Sequence, residues 1–204
     1  MLTLIFDTET TGLPPKGNPK IEACPWIIQL AAILYNGERP VGHFSTFVEP
    51  MHEGVSGTIP DEKFWVENHL TYAEIMPTAL ELKMAMSMFN KFLAAADRVV
   101  AHNTQFDDKL MQYSYQRLIG NDFPLWKDSP KLCTMLSAMP ELKLPAKWPK
   151  PDQPYKWPTL DEAYRHFVGP EGFSNAHDAM ADVQACAEVL FALERRGIPL
   201  VSVN

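Results

Sequence analysis

The chain has 204 residues, 46% of them hydrophobic and 21% charged, and a formal net charge of −7. That length fits a single domain, residues 1–204, with a substantial core. The acidic balance excludes indiscriminate binding to nucleic-acid backbones but admits a nuclease whose local sign is inverted by bound cations.

Leu2-Thr3-Leu4-Ile5-Phe6 reads as a short apolar strand, of the kind a sheet covered on both faces requires. It runs directly into Asp7-Thr8-Glu9-Thr10-Thr11-Gly12. Side chains two apart on a strand point the same way, so Asp7 and Glu9 share a face, with Cα atoms roughly 6.5 Å apart. Both carboxylates can then flank a pair of divalent ions, which two-metal sites hold about 3.5 to 4 Å apart. Taken alone, the pair also reads as an acidic turn closing the strand, with Gly12 completing it. The proline- and glycine-rich stretch from Gly12 to Lys20 is a loop that leaves the pair at the mouth of a turn. Ile27 to Tyr35 reads as a second strand, and Asn36-Gly37 as a hairpin turn into a third over Val41 to Val48, antiparallel to it.

Glu49 to His69 has turn residues without periodicity, and its acids, His52 and His69 read as solvated groups. Between Thr78 and Ala96, Leu80, Met84, Met88 and Phe92 recur every four residues. This predicts an amphipathic helix in which Met84, Met86 and Met88 are core and packing surface. Val99-Val100-Ala101 is a short buried strand, followed by His102 to Asp108 and a helical stripe of Leu110, Met111, Ser114 and Leu118. Such a strand-to-helix junction is where an open α/β sheet presents functional groups. Either Asn103 or Thr104 caps that helix and places Asp107 in its first turn.

Leu132-Cys133-Thr134-Met135 is a short strand or the start of a helix. The prolines from Pro140 to Pro158 rule out a long helix there. Within that stretch Lys143, Lys147, Lys150 and Lys156 lie beside Trp148, Tyr155 and Trp157. This is the composition of a single-strand binding loop, or of a packed loop with a solvated rim. Leu160, Ala163, Tyr164 and Phe167 mark a short helix closed by Gly169-Pro170. A last helix, from about Asp178 to Arg196, buries Ala179, Val183, Ala187, Leu190 and Leu193 and ends on Arg195-Arg196 before Gly197. Cys24, Cys133 and Cys186 are odd in number and far apart, which argues against a disulfide framework or a cysteine zinc site. With no apolar run of about 18 residues and no basic lead of a signal peptide, a soluble cytoplasmic protein without a membrane partner is expected.

Asp7 with Glu9, then Asp107, then His177 with Asp182 follow the order Asp-x-Glu, Asp, His-x-x-x-x-Asp. This pattern resembles the DEDD exonuclease superfamily in its histidine-containing branch, of the DNA polymerase III proofreading type. Phe6 to Leu13 matches the first motif, Asn103-x-x-x-Asp107 the second, and His177 with Asp182 the third. The resemblance covers about residues 2–193 and departs from the compact members in the Pro14 to Cys24 loop and the Pro140 to Pro158 segment.

The resemblance implies an α/β, ribonuclease H-like fold with a central mixed sheet flanked by helices. It implies a 3′-to-5′ exonuclease that releases 5′-nucleoside monophosphates from single-stranded DNA ends. Alternatives are an exoribonuclease or oligoribonuclease, or a noncatalytic nucleic-acid-binding or polymerase-associated module with a polymerase partner. It further implies two divalent cations, Mg²⁺ or Mn²⁺, held by Asp7, Glu9, Asp107 and Asp182, with Asp7 bridging both. That ligand set is chemically sensible, because converging carboxylates repel one another without cations and oxygen ligands suit hard ions. His177 is the implied general base, imidazole being the side chain that exchanges protons near neutral pH. On a continuous helix His177 and Asp182 would diverge by about 140°, so His177 is expected in the lead-in loop. By resemblance Thr8, Thr10, Leu13, Asn103 and Phe106 contact the terminal nucleotide, although each also reads as turn chemistry or core packing. Asp108 and Asp178 do not match the motifs, and Asp178 reads as a helix-start residue.

Overall fold

The first strand, β1, spans Leu2–Thr10 and so carries Asp7 and Glu9 inside the sheet rather than in a turn. It extends past the apolar run because its partner β2, Ile27–Asn36, is long enough to pair Asp7, Thr8 and Glu9 with Ala31, Leu30 and Gln29. Backbone pairing thus continues where side-chain hydrophobicity stops. The computed structural model describes residues 1–17, 19–50, 70–151 and 153–203, so His52 and His69 lie outside the described residues.

Strand β2 turns into the antiparallel β3, Arg39–Phe47, with Gly37 at φ 61° in the first central position of a two-residue turn. Glycine adopts that backbone state without strain. Helix α1, Leu82–Ala95, leads to β4, Arg98–Ala101, and α2, Thr104–Ile119. The ambiguous stretch after Pro130 is both strand and helix: β5 is Lys131–Cys133 and α3 is Thr134–Leu142. The proline-rich segment forms a separate antiparallel hairpin of β6, Pro145–Lys150, and β7, Gln153–Tyr155. Helix α4, Leu160–Phe167, opens on a capping box between Thr159 and Glu162, and α5 covers Ala179–Arg195 before the two-residue β8, Val201–Ser202. The main sheet runs in the order β3-β2-β1-β4-β5-β8. Strands β4 and β5 continue parallel to β1 while β2 and β8 oppose their neighbours, so the sheet is mixed, as expected.

Alternation along β1 divides the core. Leu4 and Phe6 pack with Met86, Phe89, Leu110, Met111 and Trp126 on one face. Ile5 packs with Val183, Ala187 and Leu190 of α5 on the other. The rings of Phe6, Phe89 and Trp126 meet edge-on, with centroid separations of 5.4, 5.6 and 5.8 Å. Helix α5 buries the whole expected series, Ala179, Val183, Ala187, Leu190 and Leu193.

The face of α1 differs from the expected one. Its buried stripe is Leu82, Ala85, Met86, Phe89 and Leu93, whereas Met84 and Met88 are 54% and 38% exposed. A strict four-residue repeat drifts about 40° per step from the 3.6-residue turn, so Leu80 to Phe92 winds around the helix. The three cysteines are free and buried. Among the described residues, no helix is long and apolar enough to cross a membrane.

Phe89→Ala is therefore expected to cost about 3–5 kcal/mol in urea unfolding, and Met88→Ala no more than about 0.5 kcal/mol. Equal losses would contradict the assigned buried face.

Candidate active site

Because successive strand residues alternate, Asp7 and Glu9 share the face of Ile5, which α5 covers, while Thr8 shares the face of Phe6. The buried Thr8 hydroxyl donates to Asp107 Oδ1 at 2.7 Å. Asp107 stands in the first turn of α2, where the helix dipole favours an acid. The first and second motifs are thus joined side chain to side chain across 99 residues of sequence.

Neither expected cap of α2 forms. Asn103 occupies the cap position with φ 65°, a left-handed conformation rather than the extended one that capping uses, and its side chain accepts no capping bond. The Thr104 hydroxyl instead reaches the strand-end carbonyls of Ala101 and Leu132, at 3.0 and 2.7 Å. It ties the start of α2 to the ends of β4 and β5.

His177 lies outside α5, as its spacing from Asp182 requires, with φ 72°. Its backbone N–H donates to Asp182 Oδ2 at 3.1 Å. Asp178 caps α5 through Oδ1, which accepts from the N–H of Ala181. Its other oxygen accepts from Gln29 Nε2 at 2.9 Å, and Gln29 Oε1 in turn accepts from the N–H of Ala179 at 3.1 Å. Gln29 is buried on β2 directly opposite Glu9. Both ends of its amide therefore hold the start of α5 against the strand pair that carries the first motif. Sequence reasoning missed this residue. Its signal was a lone polar side chain inside the apolar run Ile27-Ile28-Gln29-Leu30-Ala31.

One donor atom each from Glu9, His177 and Asp182 lies within 4.8 Å of the others, a spacing that could hold a metal ion. Asp7 and Asp107 stand outside that tight trio, but electrostatics ties Asp7 to it. Burial pushes the Asp7 carboxyl well above its usual range, and repulsion from Asp107, Asp182, Glu9 and Asp178 adds to the shift. Burial raises Asp107 to about 7 against the opposing Thr8 hydrogen bond. It raises Asp182 to about 6 against the His177 N–H. Carboxyls held this way bind protons in place of cations, and hard divalent ions fit the oxygen-rich donor set.

The expected nucleotide contacts divide. Leu13, 83% exposed, and Phe106 line one cleft of about 630 Å³ together with Pro14, Lys109 and Gln112. Thr10 is engaged in its own turn, donating to the carbonyl of Gly12 at 2.8 Å. Asp108 accepts from the indole of Trp126 at 2.8 Å, a packing role consistent with its absence from the motif.

A family model described as exonuclease, of the RNase T type, matches residues 4–190, a span that contains all five motif residues. The chain belongs to the RNase T exonuclease family. It is 35% identical over 135 residues, 65% of its length, to a DNA polymerase III subunit epsilon-like protein of Rhodobacter capsulatus. It is 34% identical over 116 residues, 56% of its length, to a PolC-type DNA polymerase III of Staphylococcus aureus. It spans only 16% and 7% of those two relatives. Its fold is similar to that of Escherichia coli exonuclease I in complex with a dT13 oligonucleotide, with a TM-score of 0.69 and 18% identity, covering 96% of this chain and 41% of that one. Cell-death related nuclease 4 gives a TM-score of 0.70 and 16% identity, with 98% and 66% covered. The fold is ribonuclease H-like, and the five motif residues stand in the order of the DEDD pattern.

The raised carboxyls set a direction for pH dependence without metal. The folded state holds the Asp107 proton more tightly than the unfolded chain, so this contribution to stability is complete below the ordinary value of 3.8 and is lost as pH rises through about 7. In thermal melts with chelator, Asp107→Asn is expected to remove part of the decline between these values and to melt above wild type near about pH 8. Added Mg²⁺ or Mn²⁺ is expected to raise the wild-type melting temperature most at the alkaline end. A metal-free wild type that gains stability over Asp107→Asn across this window would contradict the assignment.

Proposed function

We propose that this nuclease removes 5′-nucleoside monophosphates from the 3′ ends of single-stranded DNA. The observation that carries the reading is the convergence of four carboxylates and His177, from three separate motifs, at the outer end of β1. Similarity to DNA polymerase III chains and to a fold solved with a thymidine oligonucleotide supports DNA as the strand. The same relatives support a polymerase as partner.

Asp7, Glu9, Asp107 and Asp182 would hold two divalent cations, Mg²⁺ or Mn²⁺. Bound there, the cations would lower the pKa of the attacking water and stabilise the leaving 3′-oxygen. Thr8 orients Asp107, and the backbone of His177 orients Asp182. His177 is exposed, sits beside Glu9 and Asp182, and takes a proton from the water at a ring nitrogen. Its left-handed lead-in keeps the ring outside the helix, where a scissile phosphate can approach. Leu13 and Phe106 line the cleft in which the terminal nucleotide is placed.

The test is digestion of matched 5′-labelled DNA and RNA single strands with Mg²⁺ or Mn²⁺. A ladder shortened from the 3′ end of DNA, absent for Asp7→Ala, is expected. His177→Ala is expected to lower kcat about 10²–10⁴-fold while keeping metal affinity, measured by calorimetry. Equal loss of metal binding would make His177 a ligand rather than the base. A ladder confined to RNA would reverse the substrate assignment, and no cleavage by folded, metal-loaded protein would overturn the activity.

A further inference from the structure

The hairpin of β6 and β7 is built from an unusual set of side chains. Residues 143–157 hold four of the chain's 18 basic side chains, three large aromatics and only one acid, in a protein of net charge −7. Trp148 is 81% exposed and Trp157 52%, in contrast to Trp126 at 1%. Among the described residues Lys147 and Lys150 form no ion pair. Lys156 is the exception, bound to Glu162 at the base of the hairpin. Pro145, Pro149, Pro151 and Pro154 fix the backbone in an extended form and remove ladder donors, so the projecting rings are held with little chain freedom.

The base of this hairpin is anchored to the second motif. The N–H of Lys156 donates to the carbonyl of Leu144 and closes the two strands. Two residues on, the Pro158 carbonyl lies 3.1 Å from His102 Nε2, while Nδ1 of the same ring lies 3.0 Å from the Thr134 hydroxyl. Burial lowers the pKa of His102 to about 4, so the ring is neutral at physiological pH. A carbonyl only accepts, so Nε2 carries the hydrogen and Nδ1 accepts from Thr134. His102 directly precedes Asn103, at the turn that delivers Asp107. The chain leaving the hairpin is thus tied to the end of β4, from which the turn to Asp107 begins.

Resting on the exonuclease reading above, we infer that the β6–β7 hairpin is the track for the single-stranded segment upstream of the 3′ terminus. Lys147 and Lys150 meet its phosphates, and Trp148 stacks on a base. Exposed rings beside exposed lysine ammonium groups match what a single strand offers: an aromatic face on every base and a charge on every phosphate. The hairpin therefore favours longer strands without contributing to the chemistry.

The experiment compares wild type with Trp148→Ala and with Lys147→Ala/Lys150→Ala on two substrates. One is the 4-nitrophenyl ester of thymidine 5′-monophosphate, and the other is oligo(dT) of about twenty nucleotides. Both variants are expected to hydrolyse the ester as wild type does, which also reports intact folding. Both are expected to raise KM for the oligonucleotide about tenfold, from the lost stacking or phosphate contacts. The double lysine variant is expected to reduce the slope of log affinity against log salt by about 1.4, since each single-strand phosphate contact contributes about 0.7. Anisotropy of labelled oligo(dT) in chelator reads the same affinities without turnover. Unchanged oligonucleotide affinity in both variants would overturn the track and leave the hairpin as a protein-contact surface. Wild type inactive on both substrates, yet binding oligo(dT) through the hairpin, would instead overturn the exonuclease reading alone.

Discussion

Strand β1 is buried on both faces from Thr3 to Phe6 and acidic on one face beyond it, and the rest of the molecule is arranged around that change. Leu4 and Phe6 belong to the core under α1 and α2, and Ile5 to the core under α5. The same alternation, carried three residues further, sends Thr8 to Asp107 and turns Asp7 and Glu9 towards α5. A strand fixed this firmly by burial on both sides cannot relax its acidic end away from the other carboxylates. Burial is the leading cause of the raised proton affinities of Asp7, Asp107 and Asp182, and at Asp7 repulsion from the neighbouring carboxylates adds to it.

A site of this kind stores repulsion that packing elsewhere must offset. The interlocked rings of Phe6, Phe89 and Trp126 lie immediately behind the acidic stretch, and α5 contributes a nearly continuous apolar face on the other side. The polar contacts are equally specific. Gln29 holds the cap of α5, Thr104 ties the start of α2 to β4 and β5, and Thr8 holds Asp107, so the second and third motifs are each positioned by hydrogen bonds that reach another element. Buried polar groups paired in this way fix one arrangement out of several that hydrophobic packing alone would tolerate.

The left-handed backbone at Asn103 and His177 belongs to the same design. Asn103 sits where the chain leaving β4 turns abruptly into α2, His177 lies in the loop that leads from α4 into α5, and neither is glycine. Such conformations persist where surrounding contacts over-determine them, and they cluster at functional sites. Here they put Asp107 in its helix's first turn and keep His177 out of the next helix.

Much of the fold was legible in the sequence because its signals are local. Strand and helix periods, the Gly37 turn, the buried series of α5 and the order of the acidic motifs all depend on neighbours a few residues away. The family resemblance rested on the same local motifs. The buried face of α1 was misread rather than hidden: Leu82, Ala85, Met86, Phe89 and Leu93 keep the 3.6-residue period, from which the four-residue series of Leu80, Met84, Met88 and Phe92 drifts. Gln29 and His102 were missed for a different reason: their partners lie 149 and 56 residues away, and a lone polar residue does not reveal what it will bind. The sequence determined which residue types could do phosphodiester chemistry. The tertiary structure decided which of them share one dielectric environment, because only packing removes water and brings distant charges close enough to shift one another.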